Sequence, residues 1–100
     1  MTTPDRIWHV YLLQCADGTL YTGISLDPQR RLQQHNAGRG ARYTRTRLPA
    51  QLLGTLPAGT QREALLLERR LKRCHPQQKR ACFQNDSPTS AGLQEKSGGQ

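Results

Sequence analysis

One hundred residues, 34% hydrophobic and 5% aromatic, make one domain with a thin core, near the lower size that folds on hydrophobic burial alone. No apolar run approaches the roughly 20 residues of a membrane span, and the opening MTTPDRIWHV lacks the basic-then-apolar order of a secretion signal, so a cytoplasmic protein with no membrane association is expected. Fifteen Lys and Arg against seven Asp and Glu give a formal charge of +8, and twelve of the fifteen are arginine, the side chain suited to bidentate phosphate contacts, so a polyanionic partner is favoured over a merely solvated basic surface.

Residues 7–14, IWHVYLLQ, are rich in β-branched, aromatic and aliphatic side chains and read as a strand. Ala16-Asp17-Gly18 is a turn signal, and LYTGIS (20–25) is a second strand. A three-residue loop pairs Cys15 with Thr19, sets Tyr11 opposite Gly23 and Tyr21 opposite Leu13, and turns both phenols to one side. A two-residue Asp17-Gly18 loop turns them to opposite sides, and the residues allow both. In the first register Gly23 leaves space for a ring or a ligand against the backbone.

Asp27-Pro28 reads as an N-cap followed by proline at the first helical position, opening a helix that stops near Gly38. Arg31 and His35, four apart, share one face of it. RGARYTRTRLP is expected to be a basic loop, and AQLLGTL (50–56) a short third strand. Thr60-x-x-Glu63 is a capping box ahead of ALLLERRLKRC, where Leu65, Leu67 and Leu71 are expected to form the buried stripe. HPQQKRACF suggests one or two last helical turns. From Gln84 onward there is no aromatic, and Ser, Gly and Gln dominate; residues 1–83 are expected to be the domain and 84–100 a disordered tail. Cys15, Cys74 and Cys82 have no metal-finger spacing and read as reduced thiols. The order β-β-α-β-α, with a further helix at the end, gives an α+β domain: a small antiparallel sheet flanked by helices.

Singly, these residues are ordinary. Tyrosines belong on strands, and Arg31 with His35 is a solvated helix face. Glu68 and Lys72 form an i,i+4 pair worth roughly 0.2–0.5 kcal/mol. Together they resemble the GIY-YIG nucleases, whose pattern is a tyrosine closing a first strand motif, a tyrosine and glycine in the second, and an arginine eight positions after that glycine. A histidine four further on and a glutamate on a later helix complete it. Val10-Tyr11, Tyr21-Thr22-Gly23, Arg31, His35 and Glu68 fall at these spacings, between about Trp8 and Arg80. The fragments LYTGI, RRLQQHN and EALLLERRLK are similar to those of the small single-domain bacterial members. His9, Val10 and Thr22 depart from the letters of the family name at packing positions. Asn85 is the only asparagine after the glutamate helix, and it is not assigned the role that larger members give one.

The resemblance implies a three-stranded GIY-YIG domain and a metal-dependent endonuclease. Tyr11, Tyr21, Arg31, His35 and Glu68 would be catalytic, with Mg²⁺ or Mn²⁺ on Glu68. Arg31 would neutralise charge developing on the phosphate, and one tyrosine, with its pKa lowered by Arg31 and the metal, would take a proton from water. His35 would assist. Arg39, Arg42, Tyr43, Arg45, Arg47 and Lys72 are the candidate nucleic-acid contacts, the arginines around Tyr43 acting as a flexible clamp. The expected substrate is DNA, chosen by structure and linked to repair or recombination, with RNA as the alternative and a protein partner for targeting. The other reading is a nucleic-acid-binding module whose catalysis is weak or depends on a partner.

Overall fold

The computed structural model describes residues 6–85. Strands β1 (Trp8–Gln14) and β2 (Leu20–Ser25) form an antiparallel hairpin. At its turn the Cys15 amide donates to the Thr19 carbonyl (2.8 Å) and the Gly18 amide to the Cys15 carbonyl (2.9 Å). Gly18 takes φ +87°, the left-handed position that closes a three-residue loop with a bulge. The turn decides the open question of register. Tyr11 pairs with Gly23 and Leu13 with Tyr21, so both phenols leave the same face.

Strand β3 (Gln51–Gly59) pairs with β1 on its other side, giving the order β2-β1-β3, antiparallel throughout. It runs three residues beyond the expected 50–56. Pro57 is tolerated because β3 is an edge strand and Ala58 is a bulge: His9 pairs with Pro57 but Trp8 with Gly59.

Helix α1 (Pro28–Asn36) begins as its sequence dictates, with the Asp27 carboxylate accepting from the Arg30 amide at 3.2 Å. The segment expected to be a loop contains one helical turn, α2 (Arg42–Arg45). Helix α3 (Gln61–Lys72) has the full capping box: Thr60 N–H donates to Glu63 Oε1 (2.8 Å) and Glu63 N–H to Thr60 Oγ1 (3.1 Å). Helix α4 (Pro76–Asn85) is longer than one or two turns. His75 starts it, its Nδ1 accepting from the Gln77 amide at 3.2 Å. The backbone of α4 passes the expected domain end at 83 by two residues; the remainder of the expected tail, 86–100, lies outside the described residues.

The alternation of side chains along β1 divides the core in two. Val10 and Leu12 pack against Ala64 and Leu71 of α3 and Phe83 of α4. Tyr11 and Leu13 face the other way, packing with Ala50, Leu52 and Leu32 of α1. The buried stripe of α3 is Ala64, Leu67 and Leu71, not the one expected: Leu65 and Leu66 are 44% and 50% exposed. Glu68 occupies the i+4 place of this inward face, which is why its side chain is only 16% exposed. Phe83 is buried and packs over Gly54, where a side chain would meet its Cβ. Phe83→Ala is therefore expected to destabilise the domain by roughly 3 kcal/mol in urea unfolding. A loss under about 0.5 kcal/mol would place α4 outside the cooperative unit.

Candidate functional site

Three elements meet in one buried hydrogen-bond chain. Tyr11 (1% exposed) lies on β1, His35 (0%) on the last turn of α1 and Thr44 (0%) in α2. The Tyr11 hydroxyl is 2.9 Å from His35 Nε2, and His35 Nδ1 is 2.8 Å from Thr44 Oγ1. Thr44 Oγ1 donates to the Ala41 carbonyl at 2.9 Å. A hydroxyl has one proton; Thr44 has spent it on Ala41, so it accepts from His35 Nδ1–H. The neutral ring then presents a bare Nε2, to which Tyr11 O–H donates. The directions of this chain assign the tautomer.

Two glycines admit it. A Cβ at Gly23 would lie 2.5 Å from the Tyr11 hydroxyl, and one at Gly40 would collide with the His35 ring. The first was legible as the residue opposite Tyr11. Thr44 and Gly40 carried no signal, since one threonine among arginines and one glycine in RGARYTR look like loop composition. Asn36 was missed as well. Its Nδ2 donates to the Ala50 carbonyl (3.1 Å) and its Oδ1 accepts from the Ala50 amide (2.8 Å), tying the end of α1 to the start of β3.

Burial sets the protonation states. It pushes His35 down to about 4, helped by the Arg31 guanidinium. It pushes the Tyr11 phenol up to about 12; Arg31 pulls the other way, while Tyr21 and the Glu68 carboxylate add to the rise. Of the two cations expected to lower a catalytic phenol, Arg31 does act in that direction on Tyr11, but loss of hydration outweighs it. At rest the shared proton belongs to the phenol.

Tyr21 and Arg31 lie beside this chain, while Glu68 does not. The Tyr21 ring lies 6.4 Å from that of Tyr11 and 5.4 Å from that of His35. Arg31, beside the phenol, is oriented by donating to Gln34 Oε1 at 2.9 Å. Glu68 comes from α3, on the opposite face of the sheet from the tyrosines, and Lys72 Nζ bonds its Oε2 at 3.3 Å. Lys72 and Tyr21 line one groove at the free edge of β2, so groups from both faces meet around that edge. One carboxylate suits Mg²⁺, which keeps several waters and takes phosphate oxygens for its other positions. Among the described residues no cluster of three His, Cys, Asp or Glu offers a closed protein cage.

The basic segment divides. Arg39, Arg42 and Arg45 are exposed. Arg47 is not part of a flexible clamp: its Nε donates to Asp17 Oδ2 (3.1 Å), its guanidinium to the Tyr43 carbonyl (2.7 Å), and it lies 4.0 Å over the Tyr43 ring. Tyr43 in turn stacks on Tyr21 at 6.0 Å.

The sign of the His35 shift gives a test. Its folded pKa is depressed, so its contribution to stability is complete above about 6.5 and is lost as pH falls toward 4, by roughly 3 kcal/mol at most. Nitrogen NMR at pH 6 is expected to find Nδ1 protonated and Nε2 bare, with the melting temperature falling between pH 6.5 and 4. An imidazolium at pH 6 would contradict the assigned chain.

Residues 7–81 match the GIY-YIG catalytic domain. A UPF0213 protein of Nitratidesulfovibrio vulgaris is 55% identical over 79 residues, covering 79% of this chain and 72% of its own. The UPF0213 protein Reut_B5558 of Cupriavidus pinatubonensis is 45% identical over 85 residues, covering 84% and 94%. Two solution NMR structures share the fold. The UPF0213 protein BH0048 of Bacillus halodurans has TM-score 0.50 and 32% identity, covering 87% of this chain and 98% of its own. The protein EF2693 of E. faecalis has TM-score 0.57 and 30% identity, covering 96% and 98%. Among the described residues no helix is long and apolar enough to cross a membrane. The domain implies nuclease-type activity on nucleic acid, and its nucleases generally use divalent metal ions. With the motif residues and the sheet order in agreement, the chain belongs to the GIY-YIG catalytic domain family.

Proposed function

We propose that this protein is an endonuclease that hydrolyses DNA phosphodiester bonds with Mg²⁺ or Mn²⁺, selecting its substrate by structure in DNA repair or recombination. One observation carries this: the buried chain Tyr11–His35–Thr44 leaves a bare imidazole nitrogen behind the phenol. In the proposed step a water admitted beside the Tyr11 hydroxyl, which is 1% exposed before substrate binds, gives its proton to the phenol oxygen as the phenol passes its own to His35 Nε2. The water oxygen forms the new bond to phosphorus while the bond to the leaving sugar oxygen breaks. Burial raises the Tyr11 phenol to about 12 and lowers His35 to about 4, so at rest the proton stays on the phenol.

Arg31, held by Gln34, neutralises charge on the equatorial phosphate oxygens. Glu68 would hold the metal, which supplies charge stabilisation at the phosphate and the leaving oxygen. Lys72 holds that carboxylate in place. Tyr11 is the base of choice over Tyr21 because it is the phenol bonded to the imidazole; Tyr21 lines the groove and fixes Tyr43. Exposed Arg39, Arg42 and Arg45 provide phosphate contacts. A protein partner contributes targeting.

The experiment is cleavage of labelled flaps, forks, nicked duplexes, single strands and matching RNAs, with Mg²⁺ or Mn²⁺ and an EDTA control. Glu68→Ala is expected to abolish metal-dependent nicking. Arg31→Ala is expected to lower the rate about 10²–10³-fold, and Tyr11→Phe about 10²–10⁴-fold, the latter with DNA affinity close to wild type. If wild type and all three variants nick equally, the cleavage is a contaminant's and this centre is not catalytic. Binding without cleavage of any substrate would favour the binding-module alternative.

A further inference from the structure

Two grooves flank the Tyr11 phenol along the free edge of β2. One, of about 370 Å³, is lined by Leu20, Tyr21 and Thr22 together with Tyr43, Lys72 and Lys79. The other, of about 350 Å³, has Trp8, Ile24, Ser25, Arg30 and Arg31 in its lining, and also Asp27, whose carboxylate is engaged by the Arg30 amide as the cap of α1. The β2 residue between the two sets is Gly23, the one over which the phenol lies. At strand rise the groove centres are roughly 10 Å apart. The first holds Tyr21 and Tyr43 with Lys72 and Lys79, the second Trp8 with Arg30 and Arg31, both beside the outer edge of β2, which no further strand covers among the described residues. In the first groove Thr22 adds a buried hydroxyl that takes no hydrogen bond among the described residues.

We propose that these grooves bind the unpaired nucleotides on either side of the scissile phosphate, so that the substrate strand runs single along the β2 edge. This rests on the nuclease reading and adds the form of the substrate. A ring beside cations is the chemistry of a single-strand site, where a base stacks and its phosphate is neutralised. Bases within a duplex are stacked on one another and offer no face to Trp8 or to the edge of the Tyr21–Tyr43 stack, whereas a flap or gap does. Each groove is of a size that takes one small group such as a base. Lys79 and Arg30 are the outer cations of the path, beyond those already tied to Glu68 and to the phenol.

The test is fluorescence anisotropy of the full chain in EDTA, where metal-dependent cleavage is absent, with a labelled 12-nucleotide oligothymidylate, a flapped duplex and a blunt duplex of equal length. The single strand and the flap are expected to bind about tenfold or more tightly than the blunt duplex. Lys79→Ala and Arg30→Ala should each weaken single-strand binding and lower the salt slope by about 0.7, with unchanged circular dichroism melts. Equal affinity for the blunt duplex, or no effect from either variant, overturns the strand path. Metal-dependent cleavage found alongside equal affinities removes the path and keeps the nuclease; single-strand preference without cleavage does the reverse.

Discussion

The hydrogen-bond chain from Tyr11 through His35 and Thr44 to the Ala41 carbonyl is the constraint around which the site is built. Its members are buried, so each polar atom must find a partner or incur a desolvation cost of about 1–3 kcal/mol. One strand, the end of one helix and one isolated helical turn are thereby held in a single arrangement. The same chain explains why α2 is helical at all: Thr44 must point inward beneath His35 while Arg42 and Arg45 stay in water. It also explains two glycines that have no role as turns, Gly23 and Gly40, whose missing side chains are the space the two rings occupy.

Around this centre the architecture uses a sheet edge. The tyrosines and α1 belong to one face, the carboxylate of Glu68 and α3 to the other, and a three-stranded sheet would ordinarily keep them apart. Because β2 is the outer strand, with none beyond it among the described residues, side chains from both faces reach around it, and Lys72 and Tyr21 share a groove there. Free strand edges invite unwanted pairing. Here the edge is lined by lysines and aromatic rings.

The charge of +8 is not all available to a ligand. Arg47 is spent on structure: it pairs with Asp17 of the hairpin turn, holds the Tyr43 carbonyl and covers the Tyr43 ring. The hairpin turn and the basic segment are thus one unit, and the Tyr21–Tyr43 stack extends it to the site. Arg31 acts at shorter range. It opposes the rise of the Tyr11 phenol without overcoming burial, because the hydration lost by a phenolate exceeds what one guanidinium beside it returns.

Much of this was legible in the residues because it rests on local chemistry. Alternation and turn composition marked the hairpin, Asp27-Pro28 and Thr60-x-x-Glu63 marked two helix starts, and spacing put Arg31 and His35 on one face. Errors arose where distant contacts decide. Leu65 looked core by type, yet α3 is rotated to bury Ala64, Leu67 and Leu71, a choice made by the shape of the Val10–Leu12 surface. β3 outran its apolar run because pairing with β1 continues through a bulge at Ala58. Whether the two phenols share a face turned on one residue of loop length, which Gly18 settles by adopting the left-handed position. Thr44 had no local mark, since its importance is a bond to a ring nine positions away in the chain. Composition and periodicity determine the elements; only packing in three dimensions determines which polar atoms are buried together, and with them the tautomer, the pKa values and the site.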